Sequence, residues 1–578
     1  MASEKRWHLA EPVGQEIRAQ FPDIHPVLLQ LLVRRGLQTQ NAIEAFFEPD
    51  WERDTHTHKL FLQMPAAVAR VFRALENREV ITVHGDYDAD GVCGSAVLVS
   101  TLREICRALS FDEKKITFYL PHREKEGYGV SVPTVDQLHA EKQTKLIITV
   151  DCGISNKPAI ERAHELGIDT IVCDHHTMPA VLPTHAILIH PLVPGETYPN
   201  KTLCGTGVAF KLACALIHEA QLRDAAFPTG HEKWLLDLVA IATVTDVMPL
   251  HGENRVLEKY GLVVLNKTRR VGLRKLLEVA GVKPGAADTF TIGFQIGPRL
   301  NAAGRMRHAK AALELLLEED ETRATELAEE LHRTNIDRQH ASEVLYQAAK
   351  QSIGDPSERK ILFAVGDGWS AGLVGLVASK LVSEFSRPIL VIGREGEQYV
   401  GSGRSIQGFN ITSALHAAEA FLDKFGGHPQ ACGFSTNGSE RLAAALSCVE
   451  DYAERTLVGD IAPVLTIDAE LTLEDARLPF YEEISRFAPF GEGNAKPLFL
   501  VRDLTIVAMD LVGADGKHLR LTARSARGTL GKMIGFRLGE WHKKLKLGAA
   551  IEAVVELGIN EWQGRRELQI KIIDLRAL

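Results

Sequence analysis

The chain has 578 residues, of which 45% are apolar and 24% charged, with 47 glycines and 24 prolines. At about 150 residues per domain this length suggests three or four domains, and the composition excludes collagen-like, low-complexity and membrane-spanning classes. The net charge of −9 hides an asymmetry: from residue 511 onward thirteen Lys and Arg face seven Asp and Glu, so a basic module is carried on an acidic body.

No apolar stretch of a signal peptide opens the chain (MASEKRWHLAEPVGQ), and a soluble, cytoplasmic protein is expected. None of the eight cysteines has CxxC spacing, which argues for buried thiols in a reducing compartment and against structural zinc. Residues 1–60 read as a helical lead-in, with HPVLLQLLVRRGL and NAIEAFF as amphipathic pieces. From 61 to 305, strands such as REVITVHG, TKLIITV and DTIVC alternate with helical periods such as GVCGSAVLVSTLREICRAL. Alternation of this kind is the pattern of βαβ units and a parallel sheet. Between 306 and 355 lies a polar helical stretch. If continuous from 321 to 353 it would span about 50 Å, long enough to bridge two lobes. A second α/β lobe is expected over 356–460. From 461 to 578 five short runs separated by Gly, Asp or Asn turns suit a small β-barrel of the OB type.

The first predicted strand runs into His84-Gly-Asp86-Tyr-Asp88-Ala-Asp90-Gly91. The next ends in Asp151, the third in Asp174-His175-His176, and a later helix in Asp246. A single Asp after a strand serves as a helix cap. A DxDxDG string also suits a calcium loop, but the twelfth position is Val97 where a bidentate Glu is needed. Ligands of open parallel sheets bind at the carboxyl ends of the strands, so acids and imidazoles at several strand ends converge there. Carboxylate and imidazole donors suit Mn²⁺ or Mg²⁺, and two such ions ~4 Å apart form the clamp of phosphoester hydrolysis. Asp237, within an apolar helix, reads as structural.

In that order HGDYDADG, VDCGIS, CDHH and TVTDV resemble the motifs of the DHH phosphoesterase superfamily. GPRLNAAGR (297–305), GSGRSI (401–406), FGGHPQACGF (425–434) and FAPFGEGN (487–494) resemble its bacterial RecJ branch of single-stranded-DNA exonucleases. The likeness covers the chain from about residue 60 to its end. It implies a DHH catalytic domain (61–305), an interlobe helix (306–355), a DHH-associated domain (356–460) and an OB-fold nucleic-acid-binding domain (461–578). It implies two ions, Mn²⁺ or Mg²⁺, one held by His84, Asp88 and Asp151 and the other by Asp90, His175 and Asp246. Asp151 would bridge them, with Asp86 an alternative ligand to His84. His176 would face the scissile phosphate while Asp174 fixes the imidazoles. Arg123, Ser402 and Arg404 would receive a terminal 5′-phosphate, and Arg299, Asn301, Arg305 and His428 would line the substrate path.

Where many members of that branch read Trp-His-Pro-Gly, this chain reads Trp369-Ser370-Ala371-Gly372 and offers no imidazole. The activity implied is 5′-to-3′ hydrolysis of single-stranded DNA in recombination and repair, by a monomer working beside a single-strand-binding protein and a helicase, with no membrane partner. Two rivals remain: a DHH phosphodiesterase of short oligonucleotides or cyclic dinucleotides, and a scaffold that binds single strands without cleaving them. The basic tail counts against the first and the intact acidic motifs against the second. Lys517, Arg520, Arg524 and Lys532 mark that tail as a phosphate-binding surface, with Phe536, Trp541 and Trp562 as stacking candidates.

Overall fold

The computed structural model describes residues 5–357, 359–459, 462–562 and 564–578. The chain divides into two compact units, one of residues 55–248 and 256–462, the other of residues 4–54, 249–255 and 463–578. No helix among the described residues is long and apolar enough to cross a membrane.

In the first unit a helix (Met64–Glu76) precedes β1 (Val80–Gly85), which runs into α1 (Ala89–Leu109). There follow β2 (Ile116–Tyr119), β3 (Thr144–Val150), β4 (Asp169–Cys173) and β5 (Ala186–Ile189). All five strands are parallel in the order β2-β1-β3-β4-β5. β3 is buried at six of its seven positions and β1 at five of six, as befits strands covered on both faces. Helices α2 (Gly205–Leu222) and α3 (Leu236–Thr245) are nearly all apolar and pack against α1. A turn of π-helix at Ile292–Ile296 leads into α4 (Gly297–Met306).

The long helix α5 (Glu321–Ile353) is unbroken for 33 residues, about 50 Å at 1.5 Å per residue. Asp320 caps it by accepting the Arg323 N–H at 2.8 Å, and Gly354, with φ of +67°, ends it. Its first half buries Leu327 and Leu331. Its second half puts Leu345, Tyr346, Ala349 and Ile353 into a core shared with the second lobe. That lobe is a five-stranded sheet formed by β6 (Leu362–Asp367), β7 (Ile389–Glu395), β8 (Gln398–Arg404), β9 (Lys424–His428) and β10 (Ala431–Asn437). Its order is β9-β10-β8-β7-β6, parallel only between β6 and β7. Helix α6 (Ala371–Phe385) crosses β7 and β8.

In the second unit, strands Phe499–Val512, His518–Arg524, Leu530–Gly535, Arg565–Ala577 and Ala550–Trp562 follow one another around a barrel. Pairing of the first with the last closes it. The 14-residue strand Phe499–Val512 bends at register shifts between Val501 and Leu504 and between Ile506 and Ala508, the device by which one strand serves both neighbours of a closed sheet. The lead-in is part of this unit. Strand Arg6–Leu9 pairs in parallel with Val464–Ile467, and Leu28, Leu31, Leu32, Ile43 and Phe46 share the barrel core with Leu471, Phe487 and Phe499. Arg255 locks the arrangement by donating to the carbonyls of Phe46 (2.9 Å) and Ala488 (2.9 Å).

Candidate active site

The parallel sheet brings the carboxyl ends of β1, β3 and β4 to one edge. Asp86, Asp88 and Asp90 follow β1, Asp151 follows β3, and Asp174, His175 and His176 follow β4. Asp246 arrives from the end of α3. Three overlapping groups have ligand atoms within 4.8 Å of one another: Asp86, Asp88 and Asp151; Asp90, His175 and Asp246; and Asp151, His175 and His176. His175 Nε2 lies 3.2 Å from Asp151 Oδ1, 3.4 Å from Asp246 Oδ2 and 3.8 Å from Asp90 Oδ2. His84 is fully buried inside β1, its Nδ1 3.8 Å from Cys152 Sγ, and belongs to none of the three groups.

Local structure holds these acids in place. Asp88 caps α1, its Oδ1 accepting the N–H groups of Asp90 (3.0 Å) and Gly91 (3.1 Å). The Asp90 carboxylate accepts the N–H groups of Gly205 and Thr206, both at 2.7 Å, at the positive end of α2. A Cβ on Gly91 would fall 2.5 Å from Asp86 N, and one on Gly205 would fall 2.6 Å from Asp151 Cβ. Glycine at both positions is what allows the helices to approach so closely. Asp151 itself takes φ of +59°, and Val247, the residue after Asp246, takes +58°. Such backbone strain costs about 1–3 kcal/mol for a non-glycine residue and clusters at functional sites.

Burial, and after it repulsion from Asp90 and Asp88, pushes Asp246 up to about 9. The same causes raise Asp151, and burial followed by Asp88 raises Asp86. Asp174 differs. Burial works to raise it, but the His176 ring and the N–H groups of Ile154 and His176 donate to it and hold it at about 2. It is thus an anion that orients the imidazoles from behind, with His176 Nδ1 at 2.8 Å. His176 carbonyl in turn lies 3.0 Å from His190 Nε2. The hydroxyl of Tyr128 donates to the Asp151 carbonyl (2.8 Å) and stands 3.0 Å from His176 Nδ1. Tyr128 lies in the PHREKEGYG stretch and had no signal of its own.

The fit to divalent cations can be read from atoms left over. His84 Nε2, Asp86 Oδ1, Asp151 Oδ1, His175 Nε2 and Asp246 Oδ2 are buried without a hydrogen-bond partner among the described residues. Buried polar atoms are otherwise nearly always paired. Four of the five belong to the three groups above, and the donor set is carboxylate oxygen and imidazole nitrogen with no thiolate, which suits a hard divalent ion.

Arg123 acts on Asp86 and Arg305 on Asp88 at this edge, and Arg404 acts in turn on Arg305. Arg404 donates from Nε to Ser379 Oγ (3.1 Å) and from Nη1 to Ser402 Oγ (3.0 Å). Gly375 of α6 leaves the room it needs, since a Cβ there would sit 3.3 Å from Arg404 Nη2. Arg123 stacks over the Tyr87 ring at 4.9 Å. Burial lowers the Arg404 guanidinium, and the charge of Arg123 lowers it further. Arg305 is pushed down to about 10, first by burial and then by Arg123 and Arg338, with Asp88 opposing. Arg305 also donates to the Gly372 carbonyl (3.2 Å) at the start of α6.

Other expected residues have partners of their own. Arg299 is turned to the long helix, with Nε 3.2 Å from His332 Nδ1. Asn301 Oδ1 accepts the Ala89 N–H (2.7 Å) and so steadies the first turn of α1. His428 is exposed on edge strand β9, in register two strands from Arg404. Ser370 caps α6 through Gly372 N (3.1 Å) and lies 3.3 Å from Glu124 Oε1. Asp237 pairs with Thr268 and Arg270, as a structural residue does. The Trp562 side chain lies outside the described residues.

A parallel sheet with Asp and His at its strand ends, coupled to a second α/β lobe, is the architecture of DHH phosphoesterases. Residues 80–243 match the DHH family, N-terminal domain, and residues 358–455 match the DHHA1 domain. Residues 467–574 match the RecJ OB domain. The chain is 36% identical to the single-stranded-DNA-specific exonuclease RecJ of Bacillus subtilis over 99% of its own length and 71% of that protein. To the Escherichia coli RecJ it is 32% identical over 96% of both chains. The crystal structure of RecJ in complex with Mn²⁺ from Thermus thermophilus superposes with a TM-score of 0.81 at 30% identity, covering 99% of this chain and 79% of that one. The chain belongs to the RecJ family of single-stranded-DNA-specific exonucleases.

Proposed function

We propose that this chain is a metal-dependent exonuclease that degrades single-stranded DNA from its 5′ end. The observation that carries the reading is the convergence of unpartnered Asp86, Asp151, His175 and Asp246 atoms at one sheet edge. Two Mn²⁺ or Mg²⁺ ions would be held there, one by Asp86, Asp88 and Asp151 with His84 behind them, the other by Asp90, His175 and Asp246, with Asp151 shared. Such a pair supplies the positive charge that activates a water and neutralises charge building on the phosphoryl oxygens. Asp174 holds His176 toward the scissile phosphate. Arg404, Ser402 and Arg123 bind a terminal phosphate, whose extra charge favours a chain end, and Arg305 joins them over the cleft. Arg299, Asn301 and His428 act further out along the strand. The basic barrel grips the backbone without reading sequence. We place the protein in the cytoplasm as a monomer, in recombination and repair, working with a single-strand-binding protein and a helicase.

The test uses 5′-labelled single strands of increasing length, with Mn²⁺ and with chelator. Metal-dependent release of mononucleotides from long strands is expected. Cleavage confined to dinucleotides, or none, would overturn the reading.

A further inference from the structure

Just ahead of α4 the chain exposes a pair of aromatic rings. Phe290 and Phe294 are 55% and 69% exposed, and their ring centroids lie 4.7 Å apart with 26° between the planes. Single apolar side chains scattered over a surface are ordinary, but two large ones side by side mark a binding surface. Stacking the rings on each other covers one face of each and leaves the other open. Phe294 stands on the π-helical turn Ile292–Ile296 and Phe290 on the short helix Thr289–Thr291 before it, and both run on into α4 without a break. Turns of π-helix are rare and concentrate at functional sites. This one is held from beneath by Ile292 and Ile296, both fully buried.

Close contacts of α4 fix where this pair stands. A Cβ on Gly297 would fall 2.4 Å from Thr245 Cγ2, next to Asp246, and one on Gly304 would fall 2.5 Å from the carbonyl oxygen of Tyr87, between Asp86 and Asp88. Asn301 accepts the Ala89 N–H at 2.7 Å, between Asp88 and Asp90. Helix α4 therefore runs across the metal-binding edge from Asp246 to the loop after β1, and Phe294 and Phe290 continue its line about one and two turns past Asp246. Phe290, Phe294, Pro298, Asn301 and Arg305 recur at steps of four, four, three and four, which puts rings, amide and guanidinium on one helical face. We propose that Phe290 and Phe294 form a stacking platform for bases of the bound single strand, just outside the metal edge. A flat, uncharged aromatic face beside a site built for phosphate suits a nucleobase. Every base has such a face, so the contact is blind to sequence, as suits an enzyme that degrades any strand. This rests on the exonuclease reading above. Both are binding residues, and no step of hydrolysis is assigned to them.

The test is Phe290→Ala combined with Phe294→Ala in the full-length protein. Binding of a labelled oligothymidylate in chelator should weaken about tenfold or more, as for one or two lost base–aromatic stacks. The log–log salt slope of binding should stay as in the wild type, because no phosphate contact is lost. KM on long strands should rise by a similar factor with kcat little changed. The melting temperature should hold, since both rings are exposed. Oligothymidylates with one abasic site, moved along the strand, give a readout that a structural role would not move. In the wild type an abasic site at one or two positions should weaken binding, and in the double variant those positions should cost nothing. Phe294→Trp, alone, should keep the affinity. Wild-type affinity in the double variant, as when the pair docks a protein instead, or abasic penalties that persist in it, would overturn the inference. A wild type that binds single strands with those abasic penalties but cleaves none would overturn the exonuclease reading and leave the platform standing.

Discussion

The Nε2 of His175 lies 3.2 Å from Oδ1 of Asp151, and neither atom has a hydrogen-bond partner among the described residues. One comes from the end of β4 and the other from the end of β3, so adjacent strands of the sheet deliver two unsatisfied donor atoms to the same point. A hydrogen bond would join them only if the imidazole carried its proton on Nε2, and burial lowers the affinity of that ring for a second proton. A divalent ion satisfies both at once.

Asp151→Ala should therefore abolish hydrolysis. Asp151 belongs to two of the three ligand groups, so its loss removes a ligand from both. Without metal the variant should melt at or above the wild-type temperature, since a buried carboxyl and its repulsion with Asp246 are both removed. The shift in melting temperature that Mn²⁺ produces in the wild type should vanish. Thermal unfolding with and without Mn²⁺, run beside an activity assay, checks all three.

Metal binding should also depend on pH with a defined sign. In the metal-free protein Asp246 titrates at about 9 and Asp151 and Asp86 are raised, first by burial and then by one another's neighbours. An unfolded aspartate titrates near 3.9, so between that value and about 9 the folded state holds more protons than the unfolded one. Stability of the metal-free protein contributed by these groups then falls as pH rises through this window. Ligation requires the carboxylates ionised, so binding releases protons and tightens with pH. The expected outcome is a Mn²⁺-induced rise in melting temperature that is larger at pH 8 than at pH 6, with acid released on titration in weak buffer. An equal rise at both would contradict the assignment.

The strand-end acids were legible because each sits directly after an apolar run, and a parallel sheet sends the ends of such runs to one edge. The long helix was legible from its uninterrupted helical formers between Asp320 and Gly354. Other roles depend on partners far away in the chain. Nothing near Asn301 announces that its amide serves Ala89, 212 residues earlier. The apolar faces at Leu28–Leu32 and Ile43–Phe46 signal burial but carry no address, and the structure sends them to a barrel more than 400 residues later. Arg338 reads in sequence as one more charge on a charged helix. Only its buried Nε, without a hydrogen-bond partner among the described residues, sets it apart.

That shared core bears on how the barrel is tested. Deleting residues after 462 would uncover Leu31, Leu32 and Phe46, so loss of binding would be mixed with misfolding. Charge removal is cleaner. Arg524 and Lys532 are exposed on adjacent strands, and neither has an acidic partner among the described residues, whereas Arg520 is paired with Asp510 at 3.1 Å. Arg524→Ala with Lys532→Ala should flatten the salt dependence of single-strand binding by about 1.4, two contacts at ~0.7 each. An unchanged slope would remove this face of the barrel from the binding surface.

In the reading proposed above, the direction of digestion rests on Arg404. Its guanidinium is held from two sides, by Ser379 on α6 and by Ser402 two residues earlier on β8. Residues i and i+2 of a strand point the same way, so hydroxyl and guanidinium address one point in space. Burial is the first cause of its lowered pKa, and the charge of Arg123 adds to it. Among the described residues no carboxylate forms an ion pair with Arg404 or Arg123, and two guanidinium charges stand near each other. A terminal phosphate carries more charge than an internal diester and offsets those charges better. Losing one charge-assisted hydrogen bond should cost roughly 1.5–3 kcal/mol, or about 10- to 150-fold in affinity. Arg404→Ala should therefore depress kcat/KM on 5′-phosphorylated strands far more than on 5′-hydroxyl strands, while Mn²⁺ binding followed by melting temperature stays as in the wild type. The quantity to compare is the ratio of the two kcat/KM values in each protein. If that ratio is the same in both, the Ser402–Arg404 pair does not read the chain end and the polarity has another origin.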